Sequence, residues 1–348
     1  MKNITIIMAT YNVEDCLERA VESIRSQTMP QEELEVILAD DCSTDGTYAL
    51  GEALTRRYEN IRLLRTPGNS GSCGTPRNLA LEQVETPYVM YLDPDDTFYP
   101  RACQTLYETA EAEGADLVKG ACLINGKEEI LVGKKTLLTD PQEILELPLV
   151  NTCAQLWRTD IIQEGQIRFT DGIIYEDNEY YYKYLKACKK VAVIPDLVHA
   201  YETRDSGPEL SATRKHSSRT LIHLATAHSK VRALFQGQEE AFRPVAARLF
   251  REFLWKLTVT PELTEEEEAQ LARLLAWVPE VLAEEDLSQA LIRKGEINLL
   301  AAYFKERMGL FPGGEEELHE KILRNPQVSL KRLLTLKAKS LLKRGRQG

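Results

Sequence analysis

The chain opens with short, continuously apolar runs that alternate with amphipathic segments. Residues 4–9 are apolar and rich in isoleucine, and residues 34–39 form a second run of the same kind. Between the two runs, four apolar side chains recur at the spacing of one helix face: Leu17, Ala20, Val21 and Ile24. A strand, a helix and a strand joined by short connections form a βαβ unit, so the pattern predicts two parallel strands.

The same alternation continues through the first two thirds of the chain. It predicts helices over residues 48–58, 76–84 and 101–113, and strands over residues 61–64, 89–92, 116–122 and 191–194. Asn125-Gly126-Lys127 is a strong hairpin signal, expected at the side of the sheet. The fold class is therefore α/β, with a mixed and mostly parallel sheet.

Beyond residue 213 the periodicity becomes helical, with patterns over residues 218–235, 239–257 and 265–275 and no strand between them. We therefore expect two domains, an α/β domain over residues 1–215 and a helical region over residues 216–348. No internal repeat is visible.

Carboxylates cluster where the fourth apolar run ends, at Asp93-Pro94-Asp95-Asp96. The carboxyl edge of a parallel sheet is where α/β proteins bind ligands, and carboxylate oxygens suit Mg²⁺ or Mn²⁺. The same four residues are also ordinary turn chemistry, and the segment alone does not decide between the two interpretations. Glycines around residues 68–74 likewise fit either an anion-binding loop or a plain turn.

The composition and charge of the chain exclude several classes of function. The net charge of −11 and the pI near 5.2 argue against nucleic acid as the main partner. The seven cysteines form no CxxC pair, which indicates reduced thiols. No apolar stretch has the length of a transmembrane helix, and the N-terminus does not fit a signal peptide, so a cytoplasmic location is expected.

The strongest concentration of basic residues lies near the C-terminus. Residues 330–344 are amphipathic and carry six lysines and arginines. Such a segment can attach to an anionic membrane surface, and it can equally be a solubilising end.

Several short motifs occur in order along the chain: Thr10-Tyr11-Asn12, Asp41-x-Ser43-x-Asp45-Gly46-Thr47, Asn69-x-Gly71, Arg77-Asn78, Asp93-x-Asp95-Asp96 and Glu176-Asp177. Together they resemble the signatures of family 2 glycosyltransferases with the GT-A fold. The resemblance covers about the first 215 residues. It departs from the family at Ala9, where a proline is common.

The resemblance implies a donor site for a UDP-sugar. Six residues would line the uridine pocket: Thr10, Tyr11, Asn12, Asp41, Asn69 and Arg77. Asp93 and Asp95 resemble the pair that holds Mn²⁺ or Mg²⁺ against the diphosphate, and Asp96 would face the sugar. From local pattern alone, Asp41 and Asp96 could instead cap the helices that follow them.

The resemblance also implies the catalytic base. Asp177 would deprotonate the acceptor hydroxyl, and the attack would invert the anomeric carbon. Local pattern offers an alternative, in which Glu176-Asp177 caps the tyrosine-rich segment that follows. Arg204, with Ser211 beyond it, would fold over the diphosphate. His199 precedes this segment and is expected to be a packing residue.

The expected function is an inverting, metal-dependent transfer from a UDP-sugar to a hydroxyl of a cell-surface glycan, teichoic acid or capsule-type acceptor. A polyol phosphate or a lipid-linked glycan would be the acceptor. The helical region would serve acceptor binding, homo-oligomerisation or contact with the inner face of the membrane. The alternatives are a non-catalytic nucleotide-sugar-binding scaffold and a nucleotidyltransferase. A nucleotidyltransferase would require a Gly-rich basic loop after the first strand, which Thr10-Tyr11-Asn12-Val13-Glu14 does not provide.

Overall fold

A computed structural model describes residues 2–124, 127–129, 135–147, 152–202, 216–260 and 263–282. The chain divides into two compact units, residues 1–212 and 213–348. In the part of the chain that the structure describes, no helix is both long enough and apolar enough to span a bilayer. The basic segment 330–344 and the residues Arg204 and Ser211 lie outside the described residues.

The first unit is built on one sheet. Its described strands are β1 (Ile4–Thr10), β2 (Leu34–Asp40), β3 (Ile61–Arg65), β4 (Tyr88–Tyr91), β5 (Thr97–Phe98), β6 (Leu117–Ile124), β7 (Lys127–Glu129), β8 (Thr136–Leu138), β9 (Gln155–Arg158) and β10 (Val191–Tyr201). The strands lie in the order β3-β2-β1-β4-β9-β6-β10-β5, with β7 beside β6 and β8 beside β10.

The centre of the sheet is parallel, as the alternating pattern predicts. β1 pairs in parallel with β2 and with β4, and all seven residues of β1 and of β2 are buried. In this register Thr10 lies opposite Asp40, and Ile7 lies opposite Tyr91. The segments that follow these strands therefore leave the sheet at the same edge, and this edge carries the candidate site.

Helices cover the sheet of the first unit. They are α1 (Leu17–Arg25), α2 (Thr47–Arg57), α3 (Gly74–Leu81), α4 (Ala102–Glu113), α5 (Pro141–Leu145), α6 (Thr159–Glu164) and α7 (Asp177–Ala187). The four apolar positions that predict α1 are all buried in the core. Burying a leucine or isoleucine side chain stabilises the folded state by roughly 1.5–3 kcal/mol, which explains why this periodicity predicts the helix.

Two differences from the predicted elements concern the second half of the sheet. β9 was not predicted as a strand, and its antiparallel pairing with β4 and with β6 confirms the mixed sheet expected from the sequence. β10 was predicted to end at Ile194 but continues to Tyr201. Pro195 has no backbone N–H, and the register between β10 and β6 shifts at this place and then resumes. His199 therefore lies in a strand. The predicted hairpin is confirmed by the antiparallel pairing of β6 with β7.

The second unit is helical where it is described. Its helices are α8 (Ser218–Leu234), α9 (Glu239–Val259), α10 (Glu265–Leu274) and α11 (Trp277–Val281). Capping boxes start α8 at Ser217 and α10 at Thr264. The acidic start of α10 follows Thr264, where the helix dipole favours carboxylates.

Candidate active site

The loop after β1 and the loop after β2 are tied together by short polar contacts. Asn12 has a left-handed backbone (φ 51°), and its side-chain oxygen accepts a hydrogen bond from the Thr44 backbone at 2.8 Å. The backbone N–H of Asn12 donates to Ser43 Oγ at 3.1 Å. Next to it, Tyr11 exposes 45% of its surface, which is unusual for an aromatic side chain at the end of a buried strand. An exposed aromatic ring of this kind can stack on a planar ligand.

Asp41 is buried and organises the loop that follows β3. Its carboxylate accepts hydrogen bonds from the backbone N–H and the hydroxyl of Ser70, both at 2.9 Å, and from Thr66 Oγ1 at 2.9 Å. Asn69 Nδ2 donates to the same carboxylate at 3.3 Å. The alternative that Asp41 caps the following helix is wrong, because α2 begins six residues later at Thr47. Asp41 and Asn69 thus form one polar cluster, and their contact with a donor stays a prediction.

Helix α3 starts directly after this loop and lies very close to the segment before α7. A Cβ atom at Gly74 would lie only 2.6 Å from the Thr170 carbonyl oxygen, so only glycine permits this approach. Asn78 on the same helix donates to the Phe169 carbonyl at 3.0 Å and accepts from its N–H at 2.9 Å. These contacts bring α3 against the segment that leads to Glu176 and Asp177.

Arg77 of α3 is buried between two acidic segments that are far apart in sequence. One guanidinium nitrogen lies 2.6 Å from Asp93 Oδ1, and another lies 2.7 Å from Glu176 Oε1. Burial opposes the charge on Arg77, but the neighbouring carboxylates raise its pKa above the usual value. Burial in turn raises the pKa of Glu176, and Arg77 opposes that shift. Arg77 therefore links the segment after β4 to the residue beside Asp177.

No motif in the sequence indicated that Arg77 links these two segments. The resemblance assigns Arg77 to the uridine pocket, whereas the structure directs its guanidinium to Asp93 and Glu176 and leaves its side chain 5% exposed. Its contact with the donor stays a prediction. The partners are 16 and 99 residues away along the chain, which is why no local pattern could identify them.

Replacing Arg77 with methionine is expected to destabilise the first unit by about 3–5 kcal/mol, because the change leaves the Glu176 carboxylate buried without its cation. Asp93 is 31% exposed and can be rehydrated, so the lower end of this range is expected. Urea denaturation, with hydrogen exchange of β1 and β4 as the readout of the first unit, measures the loss. Arg77→Lys should lose less, since one ammonium group reaches one of the two carboxylates. Equal stability of Arg77→Met and the unmodified chain would contradict the role of Arg77 as a buried link.

The segment after β4 forms a tight turn. The backbone N–H of Asp96 donates to the Asp93 carbonyl at 3.0 Å, so the turn, here called the acidic turn, comprises Asp93, Pro94, Asp95 and Asp96. Asp93 and Asp95 are half-buried. Two carboxylates on one turn at the carboxyl edge of the sheet are a donor set that fits Mn²⁺ or Mg²⁺, which take oxygen ligands.

Asp96 differs from the other two carboxylates because it has no exposed surface. Its Oδ2 lies 3.0 Å from His199 Nε2, and its Oδ1 accepts a hydrogen bond from the Glu202 backbone at 2.9 Å. Asp96 was predicted to face the sugar or to cap the next helix. It contributes no side-chain cap to α4, and its burial argues against direct contact with a sugar.

His199 is the functional candidate that sequence reasoning missed. It is fully buried on β10, between Asp96 and Cys122, whose Sγ lies 3.3 Å from His199 Nδ1. Burial disfavours the imidazolium, but the contacts with Asp96 and Cys122 raise the pKa of His199 to about 9. A protonated histidine at neutral pH is therefore held against the acidic turn. The sequence offered only its position before a polar segment.

Asp177 is the first residue of α7 and is half-buried. Glu176 precedes it and makes no side-chain capping bond, because its carboxylate faces Arg77. Tyr175 has a left-handed backbone (φ 72°), which is rare for a residue with a large side chain. Glu176 thus occupies the N-cap position of α7, and the alternative that Glu176-Asp177 caps this helix is not met by the Glu176 side chain. The first turn of a helix stabilises a negatively charged side chain, and Asp177 lies in the first turn of α7.

Beneath this edge, aromatic side chains join β4 to α7. The hydroxyls of Tyr91 and Tyr180 lie 2.6 Å apart, and Tyr180 stacks on Phe169 with a centroid distance of 4.0 Å. Trp157 packs edge-on against both tyrosines. The acidic turn and Asp177 therefore extend from two elements that share one rigid aromatic core.

Comparisons with known proteins show which family model and which proteins this chain resembles. Residues 5–161 match the family model described as glycosyl transferase family 2. The chain is 27% identical over 326 residues to a poly(ribitol-phosphate) beta-glucosyltransferase of Bacillus spizizenii, covering 88% of this chain and 51% of that protein. It is 26% identical over 221 residues to the poly(ribitol-phosphate) beta-N-acetylglucosaminyltransferase TarS of Staphylococcus aureus, covering 61% of this chain and 37% of TarS. The chain thus spans about half, or less, of the length of these relatives.

Solved structures give the same fold. The crystal structure of S. aureus TarS 1–349 in complex with UDP-GlcNAc matches with a TM-score of 0.69 at 20% identity, covering 92% of each chain. The mannosyltransferase PcManGT of Pyrobaculum calidifontis, in complex with GDP-Man and Mn²⁺, matches with a TM-score of 0.54 at 16% identity, covering 93% of this chain and 88% of that one. The GT-A fold expected from the sequence is confirmed.

Proposed function

We propose that this chain, whose residues 5–161 match the glycosyl transferase family 2 model, is an inverting glycosyltransferase of that family that moves a sugar from a UDP-sugar to a hydroxyl of a polyol-phosphate polymer. One observation carries the proposal. Arg77 contacts both Asp93 of the acidic turn and Glu176 beside Asp177, so the two groups that the chemistry needs belong to one site. The names of the relatives support the class of acceptor.

The chain's own residues would perform the transfer in one displacement. Asp177 accepts the proton of the acceptor hydroxyl while that oxygen attacks the anomeric carbon. The bond between the anomeric carbon and the diphosphate oxygen breaks, and its electron pair leaves with UDP. Attack from the face opposite the diphosphate inverts the anomeric configuration, in keeping with the beta-transferases among the relatives.

The nucleotide would bind at the loops after β1, β2 and β3. Tyr11 presents its exposed ring to the base, and the cluster around Asp41 presents polar groups to the uracil edge. Asp93 and Asp95 would hold Mn²⁺ or Mg²⁺, and such a cation when bound neutralises charge on the departing diphosphate. Arg204 and Ser211, which lie outside the described residues, are proposed to contact the diphosphate.

The helical second unit is proposed to serve acceptor binding, homo-oligomerisation or membrane contact. Residues 330–344 would provide the membrane contact through their basic side chains, at the cytoplasmic face of an anionic bilayer.

A panel of UDP-sugars tests the proposed activity. We expect one UDP-hexose or UDP-N-acetylhexosamine to be hydrolysed slowly by water in the presence of Mn²⁺, and to be transferred much faster when a ribitol-phosphate or glycerol-phosphate oligomer is added. Chelation with EDTA should stop both reactions, and added Mn²⁺ should restore them. If UDP binds but neither reaction occurs with any donor and these acceptors, the result favours a nucleotide-sugar-binding scaffold.

A further inference from the structure

The acidic turn is held from its protein side by groups that were not assigned to the donor or the metal. Asp96 is in contact with His199 and with the backbone N–H of Glu202. On the other flank, Arg19 of α1 donates to the Asp95 carbonyl oxygen at 2.6 Å and to Glu202 Oε2 at 2.5 Å. The Arg19 contact holds the backbone of Asp95, and the other two contacts hold the acidic turn through the Asp96 side chain.

These contacts also fix the turn to the sheet. β5 follows the acidic turn directly and pairs antiparallel with β10, with Phe98 opposite His199. His199 is anchored on its other ring nitrogen by Cys122 of β6. The position of Asp96 is therefore set by two neighbouring strands, whereas the position of Asp95 is set by Arg19.

We propose that Arg19 and the Asp96–His199 pair are positioning residues, which hold the acidic turn in the conformation that binds the divalent cation without touching the cation or the donor. The inference rests on the proposed function and adds to it the residues that set metal affinity. Groups that orient metal ligands from outside are worth about 10–100-fold in metal affinity.

The alternative role for these buried residues is to bind zinc. Asp96, His199 and Cys153 offer ligand atoms within 4.8 Å of one another. A contact of 3.0 Å between Asp96 and His199 is that of an ion pair, whereas two ligands of a tetrahedral zinc with ~2.0 Å bonds lie about 3.3 Å apart. The geometry favours the positioning role.

Substitutions at two positions, one exposed and one buried, test the proposal. Arg19 has a 48% exposed side chain, so Arg19→Gln should fold normally. His199→Leu removes both ring nitrogens, and His199→Gln retains an N–H donor. Arg57→Gln is the matched control, because it removes an exposed arginine paired with a glutamate on another helix. The measurements are Mn²⁺ binding in the presence of UDP, by the electron paramagnetic resonance signal of free Mn²⁺, and Mn²⁺ activation of UDP-sugar hydrolysis.

We expect the dissociation constant for Mn²⁺ to rise about tenfold in Arg19→Gln and about 10–100-fold in His199→Leu, with partial recovery in His199→Gln. Saturating Mn²⁺ should restore the rate of hydrolysis, which it would not do if the residues served folding alone. Unchanged Mn²⁺ binding in both Arg19→Gln and His199→Leu would overturn the positioning role. Zinc that survives EDTA in the unmodified chain and is lost in His199→Leu would also overturn it. The binding measurement on the unmodified chain also tests the proposed function. If the unmodified chain binds no Mn²⁺ in the presence of UDP, the proposed metal dependence is wrong.

Discussion

Asp177→Asn is expected to lower the rate of sugar transfer by about 10²–10⁴-fold, because the amide cannot accept the proton of the acceptor hydroxyl. The amide keeps the shape of the carboxylate, and Glu176 beside it keeps its contact with Arg77. The dissociation constant for UDP should therefore remain unchanged. Transfer is measured by release of UDP with a polyol-phosphate acceptor, and UDP binding is measured by calorimetry.

The control for this experiment is Asp160→Asn. Asp160 also lies in the first turn of a helix, α6, but pairs with Arg158 away from the acidic turn. It should transfer sugar at the unmodified rate. Full activity in Asp177→Asn would remove Asp177 from the mechanism, and loss of UDP binding would assign it to the donor.

Asp95→Asn is expected to abolish metal-dependent turnover almost completely. Lewis-acid stabilisation of a leaving group is worth several kcal/mol, and each 1.36 kcal/mol is a tenfold change, so a loss of at least about 10²-fold follows. In contrast to the positioning variants, excess Mn²⁺ should not restore the rate, since a ligand itself is missing. Rates across a Mn²⁺ titration measure the difference.

Glu85→Gln serves as the control for Asp95→Asn, because Glu85 is an exposed carboxylate just before β4, at the opposite end of the strand. It should show the unmodified rate and the unmodified Mn²⁺ dependence. A rate in Asp95→Asn that equals the unmodified rate at every Mn²⁺ concentration would exclude Asp95 as a metal ligand.

The parts of the fold that the sequence predicted are those governed by local periodicity. β1, β2 and β4 were recognisable because strands buried on both faces are mostly apolar, and the acidic turn directly follows β4. The C-terminal half of β10 was missed because Pro195 and Asp196 interrupt the apolar run. The strand resumes there because β6 supplies a partner on the far side of the irregularity, which is a tertiary effect.

For the site, the sequence predicted which residues take part better than it predicted the contacts between them. The resemblance identified Asp93, Asp95, Asp96, Glu176, Asp177 and Arg77 by their order in the chain. It could not indicate that Arg77 joins two of them, or that Asp96 turns inward to His199. Such pairings form between residues that are far apart in the chain and are brought together by packing. They therefore produce no local pattern that can be recognised in a single sequence.

The aromatic core beneath the site has a consequence for how such enzymes diversify. Tyr91 and Tyr180 join the strand before the acidic turn to the helix that begins with Asp177, so the placement of the two chemical groups is a property of the protein interior. Under the proposed function, surface loops and the helical unit can then change in sequence, and with them the acceptor, while the geometry of the proposed site is retained. New acceptors become reachable by evolution without a new catalytic centre.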